Sequence, residues 1–510
     1  MNFARILEAS AEQWPEAVAA ESELEAVTFS QLNALSNRLA RALRQRLGIG
    51  TGSKVFVLLD NGIDFLAAFF SAGKLGSVLV PCSPYLTVRE VRTIWESSEP
   101  SAILACPEAY DKAATLAADR SVPIVLAATS RPQADTLLLS DLTQGMPAGN
   151  LDEQFDPSHV GVIVYTSGTT SQPKGVMWTH HSIVANQIIP RMVHRLQADD
   201  VVMLRLPFFH GWAMMFLAMA IGAGSKLLVQ KSDTPLPKSL QFMAAKHATF
   251  LAGPSPVFVT LMKWKSDEVN PALRYLRQGS TGSSPLDPEV FKAFEQRFGV
   301  PLLEGYGMTE VGIICSNRLD APRRPGSVGL PAPLTEVRIV DEALKEVGVG
   351  ELGQIVVRGP GLMKGYYRNS ENPLTEDGWL LTGDVGRQDA DGYFYVVDRI
   401  KDMVNLKGEK VYCAEVEEVL KLHPYVADAA VVGISAAGNE QLIAFVVAKD
   451  GKGTSDTHRI LDHCRKNLAS FKVPRRVMFV DKLPRNAMGR LLRKQLRSEI
   501  ESRQLETAVS

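Results

Sequence analysis

Short apolar runs alternate with longer amphipathic or wholly apolar stretches through the first third of the chain. Residues 23–47 read as a short strand followed by a helix, with Thr28, Ser30 and Asn33 offering cap or turn chemistry. VFVLLD (Val55 to Asp60) is a buried strand, and Ile63 to Leu75 is an apolar helix. GSVLVPCSP, Ala102 to Ala105 and Val122 to Ala127 add further buried strands. Strands alternating with helices in this way predict α/β layers around largely parallel sheets.

The pattern changes after about Val328, where EVRIVDE, GELGQIVVRGP, GWLLTGD and GYFYVVDR form short β segments punctuated by Gly and Asp. It changes again near Ile400. From there the chain reads as a helix (Ala414 to Leu422), strands (Ala429 to Val432 and Leu442 to Ala448), a second helix (His458 to Leu468) and a basic tail. The expected division is a large N-terminal domain, 1–399, of layered α/β subdomains with a β-rich subdomain over about 328–398. A small α+β domain, 400–510, follows it.

Bulk composition narrows the picture. The 510 residues are too many for one core, and 45% apolar with 22% charged residues is ordinary for a globular protein. A formal net charge of -1 offers no electrostatic grip on nucleic acid or an anionic membrane. The five cysteines (Cys82, Cys106, Cys315, Cys413, Cys464) show no C-x-x-C spacing, which reads as reduced thiols in a cytoplasmic protein. The N-terminus lacks the apolar core of a signal peptide. The longest apolar run, Pro207 to Gly224, is short for a bilayer span and reads as protein interior, so no membrane segment is expected.

The densest chemistry lies in YTSGTTSQPKG (Tyr165 to Gly175), directly after the apolar strand GVIV. Hydroxyls of Thr166, Ser167, Thr169, Thr170 and Ser171, the backbone freedom of Gly168 and Gly175, and the charge of Lys174 together suit a polyphosphate. It is not a Walker A loop, and by composition alone it could be a flexible Ser/Thr/Gly loop. His210, beside Trp212, Met214, Met215 and Phe216, reads on its own as a core histidine.

The phosphate-type loop closely resembles that of the adenylate-forming superfamily, which includes acyl-CoA synthetases, adenylation domains of peptide synthetases, and luciferases. The resemblance continues in order through PFFHGWA (207–213), STGSSPL (280–286), EGYGMTE (304–310), TGD (382–384), DRIKD (398–402) and NAMGR (486–490). It implies a large domain carrying most of the site and a small, mobile C-terminal lid. It implies that Gly282, Ser283 and Ser284 line the adenosine pocket, and that Tyr306, between Gly305 and Gly307, lies along the adenine. Thr309 would reach the phosphates, and Glu310 would help hold Mg²⁺. Asp384 would take the ribose hydroxyls with Arg399 nearby, and His210 would sit at the substrate carboxylate. Lys401 matches the hinge, and Lys407-Gly408 stands in the lid loop of the thioester step, where many relatives carry two glycines.

One departure bears on mechanism. Arg490 occupies the position of the family's adenylation lysine. It keeps the charge needed in the transition state but changes the geometry from a point to a planar fork. Arg493 and Lys494 could share that role or form a solvated tail. The implied activity uses ATP, Mg²⁺ and coenzyme A to turn a fatty or aromatic carboxylic acid into a thioester, releasing AMP and pyrophosphate. Loading of a carrier protein, oxygenase chemistry of the luciferase type, and a non-catalytic nucleotide or acyl sensor remain as alternatives.

Overall fold

The computed structural model describes residues 2–118, 120–127, 133, 136–166, 173–406, 409–436, 439–449, 457–486 and 489–500. Two compact units divide the chain: Met1–Glu336 with Arg358–Leu380, and Val337–Val357 with Leu381–Ser510.

Among the described residues, the first unit holds two large sheets. One runs Thr136–Leu138, Ile124–Leu126, Ala102–Ala105, Lys54–Leu58, Val78–Pro81, Val160–Thr166, Lys174–Thr179. Its pairings are parallel until the last, where Val160–Thr166 folds back antiparallel on Lys174–Thr179. The other has a parallel centre (Lys226–Leu228, Val201–Leu204, Phe250–Ala252, Gln278–Thr281, Leu302–Met308). Antiparallel pairs close both of its ends. Parallel strands buried on both faces need continuous apolar runs, and Val78–Pro81, Ala102–Ala105 and Phe250–Ala252 are buried at every position.

The helices follow the same logic. Thr28 caps Phe29–Leu47 with a reciprocal Gln31 contact, and Gly48 ends that helix in the left-handed conformation that glycine adopts most cheaply. Ile63–Leu75 is largely apolar and is buried at every position except Asp64. Its one buried cation, Lys74, is fully enclosed and is met by Glu8 at 2.7 Å and by Asn33 at 2.8 Å. Desolvation still pulls the Lys74 ammonium below its usual range. The run 207–224 becomes the buried helix Gly211–Ala223. Among the described residues no helix is long and apolar enough to cross a membrane, and the five cysteines are buried and unpaired.

The second unit carries a four-stranded sheet (Glu336–Val340, Gly353–Arg358, Leu380–Gln388, Phe394–Arg399) and a three-stranded one (Val426–Ala436, Asn439–Ala448, Arg476–Phe479). Period-two alternation builds two cores on the latter. Ala429, Val431, Leu442, Ala444 and Val446 pack against Val416 and Leu420 of helix Cys413–Lys421 and Ile460 of helix Thr457–Asn467. Ala430, Val432, Ile443 and Phe445 pack on the opposite face against Leu483, Leu496 and Ile500. The basic tail is therefore helical over 493–500, with its apolar residues in a core. The fold is mixed α/β with a large N-terminal part of several sheets and a small C-terminal part, as the alternating pattern implied.

Candidate active site

The residues singled out from sequence fall into two clusters, one in each unit. In the first unit they collect at the carboxyl ends of the parallel strands, where open α/β sheets place ligands. Thr166 ends Val160–Thr166, Gly282 follows Gln278–Thr281, and Gly305 lies in Leu302–Met308 just after its buried first half. Ser167, Gly168, Thr169 and Thr170 lie outside the described residues. Thr166 and Lys174 face each other as register partners across the mouth of that loop.

Lys174 does not stand alone. Its ammonium is ion-paired with Glu371 and lies 5.1 Å from the centre of the Tyr366 ring. The Tyr366 hydroxyl donates to Glu310 Oε1 at 2.8 Å. Backbone pairing explains how a tyrosine so distant in sequence arrives there: residues 364–367 run along Lys174–Thr179 as an added strand. Met177 N–H donates to the Gly365 carbonyl (3.0 Å), Lys364 N–H to the Met177 carbonyl (2.9 Å) and Tyr367 N–H to the Gly175 carbonyl (2.7 Å). Neither Tyr366 nor Glu371 was expected from the sequence. The only signal was a polar, aromatic GYYRNSEN stretch inside a region that reads as β-rich.

Thr309 and Glu310 lie in the tight turn between Leu302–Met308 and Gly312–Ser316. The turn depends on glycine: a Cβ on Gly307 would fall 2.3 Å from the Gly312 carbonyl oxygen, and Gly312 has φ +86°. Trp178 Nε1–H donates to the Thr309 carbonyl at 2.7 Å, and Met363 N–H donates to the Glu310 carbonyl at 2.7 Å. Gly211 packs against the Thr309 methyl, which brings His210 to the same spot.

His210 caps helix Gly211–Ala223, its Nδ1 accepting the Trp212 N–H at 3.3 Å. An accepting Nδ1 leaves the proton on Nε2 in the neutral ring. Desolvation holds the imidazolium down at about 4, so the ring is neutral near pH 7 and presents a donor without a charge. Trp212 is half-buried, whereas Met214, Met215 and Phe216 are buried, so Trp212 is the member of that run with a face to offer a ligand. Gly282 sits against the Gly305 carbonyl, where a Cβ would come within 2.9 Å, and Ser283 takes φ +67°. Ser284 accepts a hydrogen bond from the Ser255 hydroxyl at 2.6 Å through its carbonyl.

A further buried carboxyl escaped the sequence reading. Glu304 precedes Gly305 and is 4% exposed; Oε1 accepts the Leu286 N–H at 3.0 Å and Oε2 has no partner. Burial pushes its pKa up to about 7.

The second unit gathers Asp384, Arg399, Lys401 and Arg490. Asp384 and Arg399 are register partners on adjacent strands, and Arg399 Nε lies 2.9 Å from Asp384 Oδ1. Lys401 is solvent-exposed in the short turn of helix Ile400–Asp402, yet partial desolvation, then Arg399 and Arg490, lower its ammonium to about 8. Burial, then Arg399, also lowers the Arg490 guanidinium. The Arg490 backbone is fixed by Asn486: its N–H donates to Asn486 Oδ1 and its carbonyl accepts the Asn486 N–H, both at 2.9 Å. Arg493 is engaged elsewhere, 2.7 Å from Glu417 and 3.7 Å from Asp402. Asp398 Oδ2 accepts the Ala414 N–H at 3.0 Å, tying the strand before Lys401 to the helix after it. Lys407 and Gly408 lie outside the described residues.

The first unit thus groups Lys174, Tyr366, Glu310 and Thr309 with a neutral His210, and the second pairs Asp384 with Arg399. Residues 7–367 match the AMP-binding enzyme family, and residues 415–490 match the AMP-binding enzyme C-terminal domain. The chain belongs to the AMP-binding enzyme family. It is an AMP-forming acid–thiol ligase that activates a carboxylic acid with ATP. It is 32% identical over 505 residues to 4-coumarate–CoA ligase 1 of Oryza sativa subsp. japonica, covering 94% of this chain and 88% of that one. It is 31% identical over 513 residues to a long-chain-fatty-acid–CoA ligase of Escherichia coli O157:H7, covering 93% and 90%. The crystal structure of ATP-bound MatB from Rhodopseudomonas palustris superposes with a TM-score of 0.88 at 29% identity, covering 98% and 99%. ATP and CoA are the substrates of the CoA ligases in this family.

Proposed function

We propose that this ligase converts a fatty or aromatic monocarboxylic acid to its acyl-adenylate and then to its coenzyme A thioester. The observation that carries the reading is the grouping of Lys174, Tyr366, Glu310 and Thr309 with a neutral His210 and the face of Trp212. In this reading the acid's carboxylate oxygen attacks the α-phosphorus of ATP, the bond to pyrophosphate breaks, and pyrophosphate leaves. The sulfur of coenzyme A then attacks the acyl carbon, and the bond to AMP breaks.

Most of the work is positioning and charge stabilisation. Lys174 and the loop hydroxyls take the phosphates. Tyr306 and Gly282 to Ser284 hold the base, and Asp384 with Arg399 holds the ribose. His210 Nε2–H donates to the carboxylate without trapping it as an ion pair, which keeps the nucleophile reactive. Arg490 offsets the charge that builds as pyrophosphate departs. Magnesium fits as an ion delivered with the nucleotide: Glu310 supplies one carboxylate, and among the described residues no cluster of three or more His, Cys, Asp or Glu forms a cage. Bound there, it would neutralise phosphate charge.

Between the two half-reactions the segment from about residue 400 onward rotates about Lys401, bringing the loop of Lys407 and Gly408 to the thiol. That rotation breaks the Asp398–Ala414 hydrogen bond. The apolar run that follows His210, with Trp212 half-buried, supports an aryl or alkyl chain over a dicarboxylate. Pyrophosphate release from a panel of fatty, aryl and amino acids, with and without coenzyme A, tests this. Release accelerated by coenzyme A for aryl or alkyl acids supports it. Release indifferent to coenzyme A but stimulated by a phosphopantetheinyl carrier protein transfers the acceptor role to that protein. No release from a folded, ATP-binding enzyme overturns the catalytic reading.

A further inference from the structure

Tyr366 joins the two charged groups on which the ATP step of this reading rests. Its hydroxyl donates to Glu310 Oε1, and its ring lies against the Lys174 ammonium, which is also paired with Glu371. We propose that Tyr366 is a positioning residue for the phosphate end of the site, with Glu371 as a latch that holds the Lys174 ammonium until nucleotide phosphates displace it. The inference rests on the proposed function and deepens it.

Three observations carry it. The hydroxyl occupies one oxygen of a carboxylate that is 9% exposed, so the Glu310 side chain is held in one orientation with Oε2 left for the nucleotide or its cation. At 2.8 Å the phenolic O–H donates to a carboxylate oxygen that can only accept, so the direction of the bond is fixed. The ring is held from behind by backbone pairing of residues 364–367 with Lys174–Thr179, so its place does not depend on either charge. The latch differs in kind. The Glu371 side chain is 58% exposed, whereas that of Lys174 is 16% exposed, so solvent weakens the pair from the glutamate side. A triphosphate presents more negative charge and several oxygens, and so outcompetes one exposed carboxylate.

Two substitutions separate the parts. Tyr366→Phe keeps the ring under Lys174 and deletes only the hydroxyl; Glu371→Gln keeps the shape and deletes the competing charge. Calorimetric ATP binding is measured with and without Mg²⁺, in the absence of acid, beside kcat and KM for pyrophosphate release and the thermal midpoint. For Tyr366→Phe the gain in ATP affinity conferred by Mg²⁺ falls about tenfold and kcat falls by a similar factor, the scale of one hydrogen bond to a charged group. Binding of metal-free ATP and the melting temperature stay at wild-type values. Glu371→Gln tightens metal-free ATP by about twofold to fivefold, as expected for removing an exposed ion pair. Tyr366→Leu, which also deletes the ring, weakens both forms of ATP.

Wild-type levels of Mg²⁺ response and kcat in Tyr366→Phe overturn the positioning role. Equal weakening of both ATP forms with a lowered melting temperature does so too, because it marks a merely structural tyrosine. Unchanged or weaker ATP binding by Glu371→Gln overturns the latch. A wild-type enzyme that binds ATP but releases no pyrophosphate with any acid counts against the proposed function, and the binding comparison still decides the roles of Tyr366 and Glu371.

Discussion

The two clusters of polar residues solve the problem of holding charge in different ways. In the first unit each charge has a matched partner on a rigid backing: Lys174 with Glu371, Glu310 with Tyr366, and a histidine held neutral at a helix start. In the second unit Arg399, Lys401 and Arg490 share the field of Asp384 and Asp402. Asp402 also serves Arg493 and Arg497. Burial first, and mutual repulsion after it, lowers both Lys401 and Arg490. A matched cluster is stable as it stands, whereas a cation-rich one gains by receiving an anion. The difference is one of charge balance: the first cluster is matched within itself, and the second carries an excess of cations.

The largest effect is expected at the turn that carries Thr309 and Glu310. Gly312→Ala puts a methyl 2.1 Å from Asn186 Oδ1 at φ +86°. It is expected to cost about 4 kcal/mol from strain and overpacking together, measured by denaturant unfolding. Removing charge from the other cluster costs rate instead. Arg490→Ala slows adenylation on the order of a hundredfold with little loss of stability, and Arg490→Lys retains most activity. Equal adenylation by wild type and the alanine variant would remove Arg490 from the mechanism.

Glu304 sharpens the contrast, since it is a polar group in the first unit that lacks a full set of partners. Its pKa is raised from 4.5 unfolded to about 7 folded, so the stability it contributes is complete below about pH 4.5 and lost as pH rises through about 7. Glu304→Gln therefore flattens the fall in stability across that window by about 3 kcal/mol and makes the protein more stable than wild type at pH 8. An unchanged pH profile of chemical unfolding would place the burden on another group. The smallest effect concerns Lys401. Deleting the Arg490 charge removes a neighbour that disfavours the ammonium, so Lys401 titrates above its present value of about 8, a change readable from the pH dependence of amine labelling at that residue.

Much of this arrangement was legible in the order of residues, and the parts that were not have physical reasons. The helix Ile63–Leu75 and the strand Ala102–Ala105 were readable to the residue: the strand is a continuous apolar run, and glycines, Gly62 and Gly76, flank the helix at both ends. The hairpin Val426–Ala436 with Asn439–Ala448 runs longer than its apolar centre, because ladder hydrogen bonds extend into flanking residues that pattern alone does not mark. For the basic tail a catalytic and a solvated role were both open; Leu496 and Ile500 sit in a core and Arg493 is paired with Glu417. At the site, the glycine turns and hydroxyl loop announce themselves through residue type. Tyr366 and Glu371 do not: what brings them to Lys174 is backbone pairing across a long sequence separation, which leaves no mark in local composition.

The most direct test of the adenylate account is acid-dependent exchange of labelled pyrophosphate into ATP, run without any thiol. With an accepted aryl or alkyl acid, label should enter ATP with coenzyme A absent, and Arg490→Ala should slow the exchange in step with its slower forward reaction. Exchange that requires coenzyme A, or formation of ADP and phosphate in place of AMP and pyrophosphate, would contradict a bound acyl-adenylate as the intermediate.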